Sequence, residues 1–452
     1  MDAIPHWIGK TSPGPPSETE GFIKEVRASN KKLGIQTDYS VKHSKEAPIQ
    51  SSLPLNRRSF LAATGSAALS FSVLGAESPN APKIKLGLIG CGGRGQWITN
   101  LFQQHGGYQI YACADYFQDR VDSCGEEFGI PPARRFPHLK GYQHLLACGV
   151  EAVAIVSPPY FHPMQAAAAV DAGLHVYLAK PIAVDVPGCK SVEASGRRAT
   201  HKKLSFLVDF QTRADAFYRE AIKRVHQGAL GELAFGEATY HAGIPWGGHM
   251  KALQAEPHNP EVKLRAWGMS RVLSGDIITE QNIHTLDVMS WIMKTPPLSA
   301  TGTGGRKVRP LGDCYDHFAC LYQYANHVGM TFSSRQFDGH GSVPDGIRNR
   351  VFGAEGTLET QYGGLVIIRG QNFYRGGKSP GIYKEGAVAN IATFHENITQ
   401  GNVSNKTVAP SVQSNLTSIL GRTAAYRQTR VTWQDLLADT QRFEYDFEGL
   451  KA

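Results

Sequence analysis

The stretch Lys83–Gln96, KIKLGLIGCGGRGQ, constrains the fold more than any other part of the chain. It predicts a short apolar strand, a glycine-rich turn and the start of a helix, the combination that holds a pyrophosphate in dinucleotide-binding proteins. Gly90 allows the tight turn, Gly92 lets the backbone approach the phosphates, and Gly95 lets the helix pack closely on the strand. The free N–H groups at the positive end of the helix attract the anion.

An acidic residue after the turn supports this interpretation. Such support is needed because a single G-x-G-x-x-G match is weak evidence in a chain with 48 glycines. Asp115 follows the next apolar run, Tyr108–Ala114, where a Rossmann unit places the carboxylate that binds the adenosine ribose. A carboxylate repels the 2′-phosphate of NADP, so we predict NAD, with NADP as the alternative because Arg120 lies close by. The predicted cofactor-binding residues of this region are Gly90, Gly92, Gly93, Arg94, Gly95 and Asp115.

Length and composition set the broad class of the protein. A chain of 452 residues is too long for one ordinary core and predicts two folded domains. The formal charge is +8, but the basic residues are scattered without a patch of the kind that binds nucleic acid, which argues against such a partner. The seven cysteines include no C-x-x-C pair, so we interpret them as small buried side chains and predict no metal site.

The N-terminal region resembles a leader. Residues 1–55 are rich in Ser, Pro and Lys and predict disorder. Residues 56–81 contain twin arginines, Phe-Leu and a short apolar stretch, which favour a twin-arginine export signal over a short N-terminal helix. We therefore expect a periplasmic or secreted protein with no membrane span in the mature chain, and a cofactor bound before export.

Residues 82–209 predict the dinucleotide-binding domain. Apolar runs alternate with helical segments, which predicts a parallel, doubly wound α/β sheet whose ligands bind at the carboxyl ends of the strands. One strand end carries Ser157, Pro158 and His162, which we predict to contact the cofactor, although a capping or packing role for His162 is the alternative. Another carries Lys180 and Pro181, and an ordinary exposed lysine is the competing interpretation there.

This order of motifs resembles the Gfo/Idh/MocA oxidoreductases, the group around glucose–fructose oxidoreductase and inositol dehydrogenase. The resemblance covers nearly everything after Lys83. The family carries Glu-Lys-Pro at the position of Ala179-Lys180-Pro181, with the lysine beside the nicotinamide and the substrate. It implies the same place for Lys180, while the replacement of the glutamate by Ala179 removes a carboxylate that would tune the lysine.

Residues 210–452 predict an α+β domain with a large, mainly antiparallel open sheet, because short apolar runs alternate with turn residues. The resemblance implies the same architecture and a homo-oligomer formed through this domain. Gln211 and Arg213 open its first predicted helix, Ala214–Gln227, and we predict them to bind substrate.

The segment Gly275–Asp287 carries the predicted catalytic chemistry. On one continuous helix, Glu280, His284 and Asp287 would share a polar face, where a histidine between two carboxylates suits a general base. The resemblance implies the same role, since the family has Asp-x-x-x-His-x-x-Asp there with the histidine as base. A metal site and a solvated helix face are the alternatives.

The glycine- and proline-rich segment Gly243–Trp267 predicts a long loop. Trp246 and His249 combine an aromatic face with hydrogen-bonding groups, which suits a sugar-like ligand, and we predict both to bind substrate. A surface lid or an oligomer contact is the alternative.

Three functions fit these residues. The first is an exported NAD(P)-dependent oxidoreductase of a sugar or polyol, in which His284 takes the hydroxyl proton and Lys180 stabilises the developing charge. The second is a redox-assisted glycosidase that retains its NAD, as some relatives do. The third is a sugar-binding protein without catalysis, against which the presence of both Lys180 and His284 argues.

Overall fold

The computed structural model describes residues 83–244, 247–341 and 346–452. The predicted leader, the predicted export signal and Trp246 lie outside the described residues. All described residues belong to one compact unit. No helix in this part of the chain has both the length and the apolar character that crossing a bilayer would need.

A six-stranded parallel sheet forms the first half of this unit, in the order β3-β2-β1-β4-β5-β6. Its strands are β1 (Ile84–Ile89), β2 (Tyr108–Asp115), β3 (Arg135–Pro137), β4 (Ala152–Ile155), β5 (His175–Ala179) and β6 (Phe206–Asp209). The connecting helices are α1 (Gly93–His105), α2 (Gln118–Glu127), α3 (Gly141–Ala147), α4 (His162–Asp171) and α5 (Val186–His201). Helices cover both faces, which explains why β4 and β6 are buried throughout. The predicted doubly wound α/β fold is confirmed.

A nine-stranded sheet forms the second half, in the order β14-β13-β12-β11-β7-β10-β9-β8-β15. Its strands are β7 (Leu233–Ala242), β8 (Ser299–Gly305), β9 (His317–Gln323), β10 (Gly329–Gln336), β11 (Ile347–Gly353), β12 (Gly356–Gln361), β13 (Leu365–Gly370), β14 (Tyr374–Lys378) and β15 (Val431–Thr432). Every pairing is antiparallel except that of β7 with β10. Burial alternates along β9 and β10, so one face packs on helices and the other is open. The predicted open sheet is confirmed.

The remaining helices connect the two sheets. They are α6 (Gln211–Ala214), α7 (Ala216–His226), α8 (Gly247–Ala255), α9 (Pro260–Arg265), α10 (Arg271–Ser274), α11 (Ile277–Glu280), α12 (Ile283–Met293), α13 (Ile382–Thr399), α14 (Val408–Arg427) and α15 (Trp433–Leu437). The prediction of one long loop at Gly243–Trp267 is wrong, because this insert carries α8 and α9. Asn259 caps α9 by accepting hydrogen bonds from the first-turn N–H groups.

Helix α13 completes the core of the Rossmann half. Its residues Ala387, Ile391 and Phe394 are buried in the same apolar cluster as Leu86 and Phe102. The two halves therefore share a core, and the crevice at the carboxyl ends of the parallel strands is fixed on both sides.

Candidate active site

The glycine-rich turn forms an open anion cradle at the start of α1. Gly90 has a φ of 102°, and a Cβ there would lie 2.6 Å from the backbone nitrogen of Ser157. A Cβ on Gly95 would lie 1.8 Å from the carbonyl oxygen of Gly90, so the helix and strand approach as the sequence predicts. Helix α1 begins at Gly93 without a side-chain cap, and a Cβ on Gly93 would meet nothing within 4 Å. Free N–H groups facing open space fit a pyrophosphate.

Asp115 lies beside this cradle at the end of β2. Its Oδ2 accepts a hydrogen bond from the backbone N–H of Cys91 at 2.8 Å, and its Oδ1 accepts one from that of Phe117 at 3.0 Å. Burial raises the pKa of Asp115, while the charge of Arg120 and these hydrogen bonds act against the rise. The carboxylate therefore holds the turn in place and stands at the mouth of a cleft.

That cleft leaves about 540 Å³ free of protein atoms. It begins at the ends of β1, β2 and β4, and residues from the insert complete it. Its walls include Gly90, Asp115, Phe117, Arg120, Ser157, Pro158, Leu264 and Trp267. Apolar faces with a carboxylate at the rim fit the adenosine end of a dinucleotide.

The insert is fastened to the Rossmann half next to the cleft. Leu264 packs with Phe117 and Phe161 in a small buried apolar cluster. Arg265 donates to both carboxylate oxygens of Asp119, at 2.8 and 3.0 Å. These contacts place α9 over the adenosine end.

The C-terminal tail also lies over this region. The backbone N–H of Lys451 donates to the hydroxyl of Tyr116 at 3.1 Å, and its carbonyl accepts from the N–H of Leu139 at 3.3 Å. Tyr445 packs edge-on against Tyr160. Tyr445, Phe447 and Leu450 also pack against the apolar cluster that contains Leu264, so the tail contacts both the insert and the Rossmann half.

His162 joins the two loops that carry the other predicted cofactor residues. Its Nδ1 lies 2.8 Å from the carbonyl oxygen of Pro181, and its Nε2 lies 2.7 Å from that of Ser157. Burial lowers the pKa of His162 to about 4. The ring therefore positions the loops that follow β4 and β5, a packing role of the kind that the sequence leaves open.

Lys180 stands at the end of β5 and contacts the second domain. Its Nζ donates to the carbonyl oxygen of Glu280 at 2.7 Å and lies 3.6 Å from Glu280 Oε1. The side chains are 17% and 13% exposed, so the ion pair is largely screened from water. Glu280 thus supplies a carboxylate to the lysine that Ala179 cannot.

The predicted continuous helix through Glu280, His284 and Asp287 is wrong. Helix α11 ends at Glu280, and α12 begins at Ile283. His284 and Asp287 are buried, which also excludes a solvated helix face. In the described ranges, the three side chains do not gather their ligand atoms at metal-binding distance.

His284 is a buried imidazole whose environment favours the neutral ring. Burial lowers its pKa well below the ordinary value, and the positive charges of Lys180 and Arg94 lower it further. Its Nδ1 has no hydrogen-bond partner among the described residues. The aromatic ring of Tyr362 lies 5.3 Å away, between ring centroids. The neutral ring therefore has an unused nitrogen.

Asp287 pairs with Arg213 rather than with the histidine. Both of its oxygens accept from Arg213 Nε at 3.0 Å, and Oδ1 accepts from the hydroxyl of Ser414 at 2.7 Å. The predicted substrate residue Arg213 is therefore held by a fully buried carboxylate below the site.

Arg94 and Gln211 meet at a residue that the sequence analysis does not name. Arg94 Nη2 donates to Asp209 at 2.8 Å, and Gln211 Nε2 donates to the same oxygen at 3.0 Å. The guanidinium lies 4.4 Å from the ring centroid of Trp97 and 4.8 Å from that of Tyr383. Asp209 ends β6, and an acid at a strand's carboxyl end was a signal that could have identified it.

Several buried polar atoms in this neighbourhood have no hydrogen-bond partner within the described part of the chain. They are Arg94 Nη1, Gln211 Oε1, Glu280 Oε2, His284 Nδ1 and the hydroxyl of Tyr362. Tyr362 follows β12, and no sequence pattern marked it. Unsatisfied buried groups are costly, so a cluster of them indicates a ligand site.

His249, a predicted substrate-binding residue of the insert, does not join this cluster. Burial lowers the pKa of His249, and the charges of Arg120 and Arg265 lower it further, which puts the ring on the adenosine side of the crevice. Trp246 lies outside the described residues.

Two family descriptions match this chain. An oxidoreductase family with an NAD-binding Rossmann fold matches residues 84–206, and a GFO/IDH/MocA C-terminal domain matches residues 218–359. The chain belongs to the Gfo/Idh/MocA family. Its first half is therefore an NAD-binding domain, and the resemblance read from Lys180-Pro181 is confirmed at the level of the family.

Individual relatives are more distant. A glycosyl hydrolase family 109 protein of Shewanella pealeana is 28% identical over 39% of each chain. Inositol 2-dehydrogenase 3 of Saccharopolyspora erythraea is 34% identical over 33% of this chain and 42% of its own. The chain thus covers about two fifths of the length of these curated relatives. The structure of a levoglucosan dehydrogenase in complex with NADH and levoglucosan matches 77% of this chain and 99% of its own, with a TM-score of 0.62 and 17% identity.

Proposed function

We propose that this protein is an NAD-dependent oxidoreductase that removes hydride from a hydroxyl-bearing carbon of a sugar or polyol. His284 carries the proposal, because the buried ring is in the neutral form and its Nδ1, which has no partner among the described residues, is free to accept a proton. It would take the proton of the substrate hydroxyl. When bound, NAD supplies the hydride acceptor.

Lys180 would stabilise negative charge on the same oxygen. The carbonyl and carboxylate of Glu280 hold its ammonium group, which fixes its direction before substrate arrives. Burial lowers the pKa of His284, and the ammonium charge lowers it further, so the imidazole stands in the neutral form that can accept a proton. Glu280 acts on the lysine and is a positioning residue in this scheme.

The substrate class follows from the charge balance of the site. Arg94 is paired with Asp209, Lys180 with Glu280, and Arg213 with Asp287. The remaining unpartnered atoms are a mixture of donors and acceptors beside the ring of Tyr362. A neutral polyhydroxyl compound is complementary to such a site, whereas a charged substrate would leave its charge uncompensated.

The test compares His284→Asn with His226→Asn, a half-buried histidine on α7 that lies outside the site. Purified protein is assayed for bound NAD and for sugar-dependent absorbance of reduced nicotinamide. We expect both variants to bind NAD and only His284→Asn to lose turnover, by about 10²- to 10⁴-fold. Full turnover in His284→Asn would refute the proposed base, and absence of NAD affinity in the wild type would refute the function.

A redox-assisted glycosidase is the second candidate. The similarity to glycosyl hydrolase family 109 proteins favours it, and so does the cover over the adenosine cleft, which suits a cofactor that stays bound between turnovers. Release of an aglycone from model glycosides without net formation of NADH would select this candidate. Net NADH formation from a free sugar would select the dehydrogenase.

We also propose export through the twin-arginine pathway and a homo-oligomer. The support for export is the motif within residues 56–81, and the test is the cell fraction in which a twin-lysine variant of Arg57 and Arg58 accumulates. The support for the oligomer is the open face of the large sheet, where Phe235 is 53% exposed and stacks on Phe352.

A further inference from the structure

Three cysteines meet in the core of the Rossmann half. Cys91 follows Gly90 in the phosphate turn, Cys113 lies in β2, and Cys124 lies in α2. Their sulfur atoms all lie within 4.8 Å of one another, and all three side chains are fully buried. We call Cys91, Cys113 and Cys124 the thiol cluster.

We propose that the thiol cluster is a binding site for a soft monovalent cation, Cu(I), held by three thiolates. Thiolate ligands select soft ions such as Cu(I), Zn²⁺ and iron–sulfur clusters over hard ions such as Mg²⁺. Zinc in structural sites takes four ligands, and iron–sulfur clusters also take four cysteines. Among the described residues the cluster offers three ligand atoms and no fourth, which favours a three-coordinate ion.

The spacing of the sulfurs fits such an ion. With metal–sulfur bonds of about 2.3 Å, three sulfurs placed evenly around one ion would lie about 4 Å apart. The present separations of up to 4.8 Å require each sulfur to move by less than about 1 Å. Among the described residues, the other four cysteines are not gathered in this way. Cys91 and Cys113 now donate to the carbonyl oxygens of Ala114 and Val121, and these two weak bonds are lost when the thiols ionise.

A cation stands against the cluster and offsets part of the added negative charge. Arg135 packs on Gly125, the residue after Cys124, so closely that a Cβ on Gly125 would lie 1.9 Å from Arg135 Nε. On binding, three S–H bonds break, three protons pass to solvent and three Cu–S bonds form. The copper stays Cu(I), and no oxidant or reductant is needed.

The site would act on the nucleotide loop. The backbone N–H of Cys91 holds Asp115, so an ion bound to Cys91 would fix the turn and the carboxylate together. The inference is independent of the proposed function, since it rests on the sulfur atoms alone.

The test uses the reduced NAD-bound protein under anaerobic conditions, loaded with Cu(I) and challenged with a bicinchoninate chelator. We expect one retained Cu(I) per chain and an X-ray absorption spectrum with three sulfur neighbours. Cys124→Ala should weaken retention by more than the about 10- to 100-fold that loss of an outer-shell partner costs, whereas Cys320→Ala should retain Cu(I) normally.

Four results would overturn the site: no retained copper in the wild type, equal retention in Cys124→Ala, a sulfur coordination number of two, or retention of four-coordinate Zn²⁺ in preference to Cu(I). If Cys124→Ala does not fold, the wild-type spectrum and the Cys320→Ala control still decide the question.

Discussion

The ion pair between Arg213 and Asp287 gives the sharpest quantitative prediction. Asp287 is fully buried, and its oxygens are satisfied by Arg213 and by the hydroxyl of Ser414. Arg213→Met removes the guanidinium but keeps much of the aliphatic stem, which leaves a buried carboxylate with one hydroxyl partner. Breaking a buried pair in this way costs about 3–5 kcal/mol. Because the Arg213 side chain is 18% exposed and water can reach the vacated position, we expect the lower end, about 3 kcal/mol.

The measurement is urea unfolding followed by fluorescence, with NAD at saturation. The matched control is Arg197→Met, which breaks an ion pair with Glu193 whose side chains are 63% and 41% exposed. We expect this control to change the free energy of unfolding by about 0–1 kcal/mol. A loss in Arg213→Met that is no larger than the control's would refute the reasoning from burial. An unchanged stability with a raised KM would instead make Arg213 a residue that touches substrate.

Three further predictions concern the site and the assembly. His284 has a lowered pKa and is neutral above it, so kcat/KM should stay level from neutral into mildly acidic pH and fall only well below the ordinary histidine value of about 6.5; a fall centred near 6.5 would contradict its burial. Truncation of residues 442–452 removes the contacts of Lys451 with Tyr116 and Leu139, so NAD should dissociate faster, as measured by dialysis; unchanged retention would show that the tail does not secure the cleft. Phe235→Asp puts a charge on the open sheet face and should lower the mass measured by light scattering, whereas an unaltered mass would remove this face from the interface.

The parallel sheet was predictable because its strands are buried on both faces and read as continuous apolar runs. The short strand β3 was not, since Arg-Phe-Pro carries little apolar signal. In the second sheet, β8 and β14 are difficult to predict from the sequence because glycines interrupt their alternation. The helices of the insert were also not predictable, because they begin at Gly247 and Pro260 and these residue types are typical of loops.

The site was predictable where chemistry and strand ends coincide, as at Lys180 and Asp115. The site was not predictable where a side chain pairs with a residue that is distant in the sequence. The spacing in the sequence predicts Asp287 beside His284, but in the structure the carboxylate of Asp287 pairs with the guanidinium of Arg213 from another helix. The thiol cluster is a similar case, because three cysteines separated along the chain carry no local spacing pattern.

The C-terminal tail has a consequence for the kinetics of cofactor exchange. After Leu437 the described residues form no further helix or strand, and Lys451 is held on the Rossmann half by hydrogen bonds with Tyr116 and Leu139. A segment of this kind can detach while both sheets remain folded, because its contacts are few and lie at the surface of the core. The rate of NAD exchange should therefore follow this local opening and should not depend on the free energy of global unfolding.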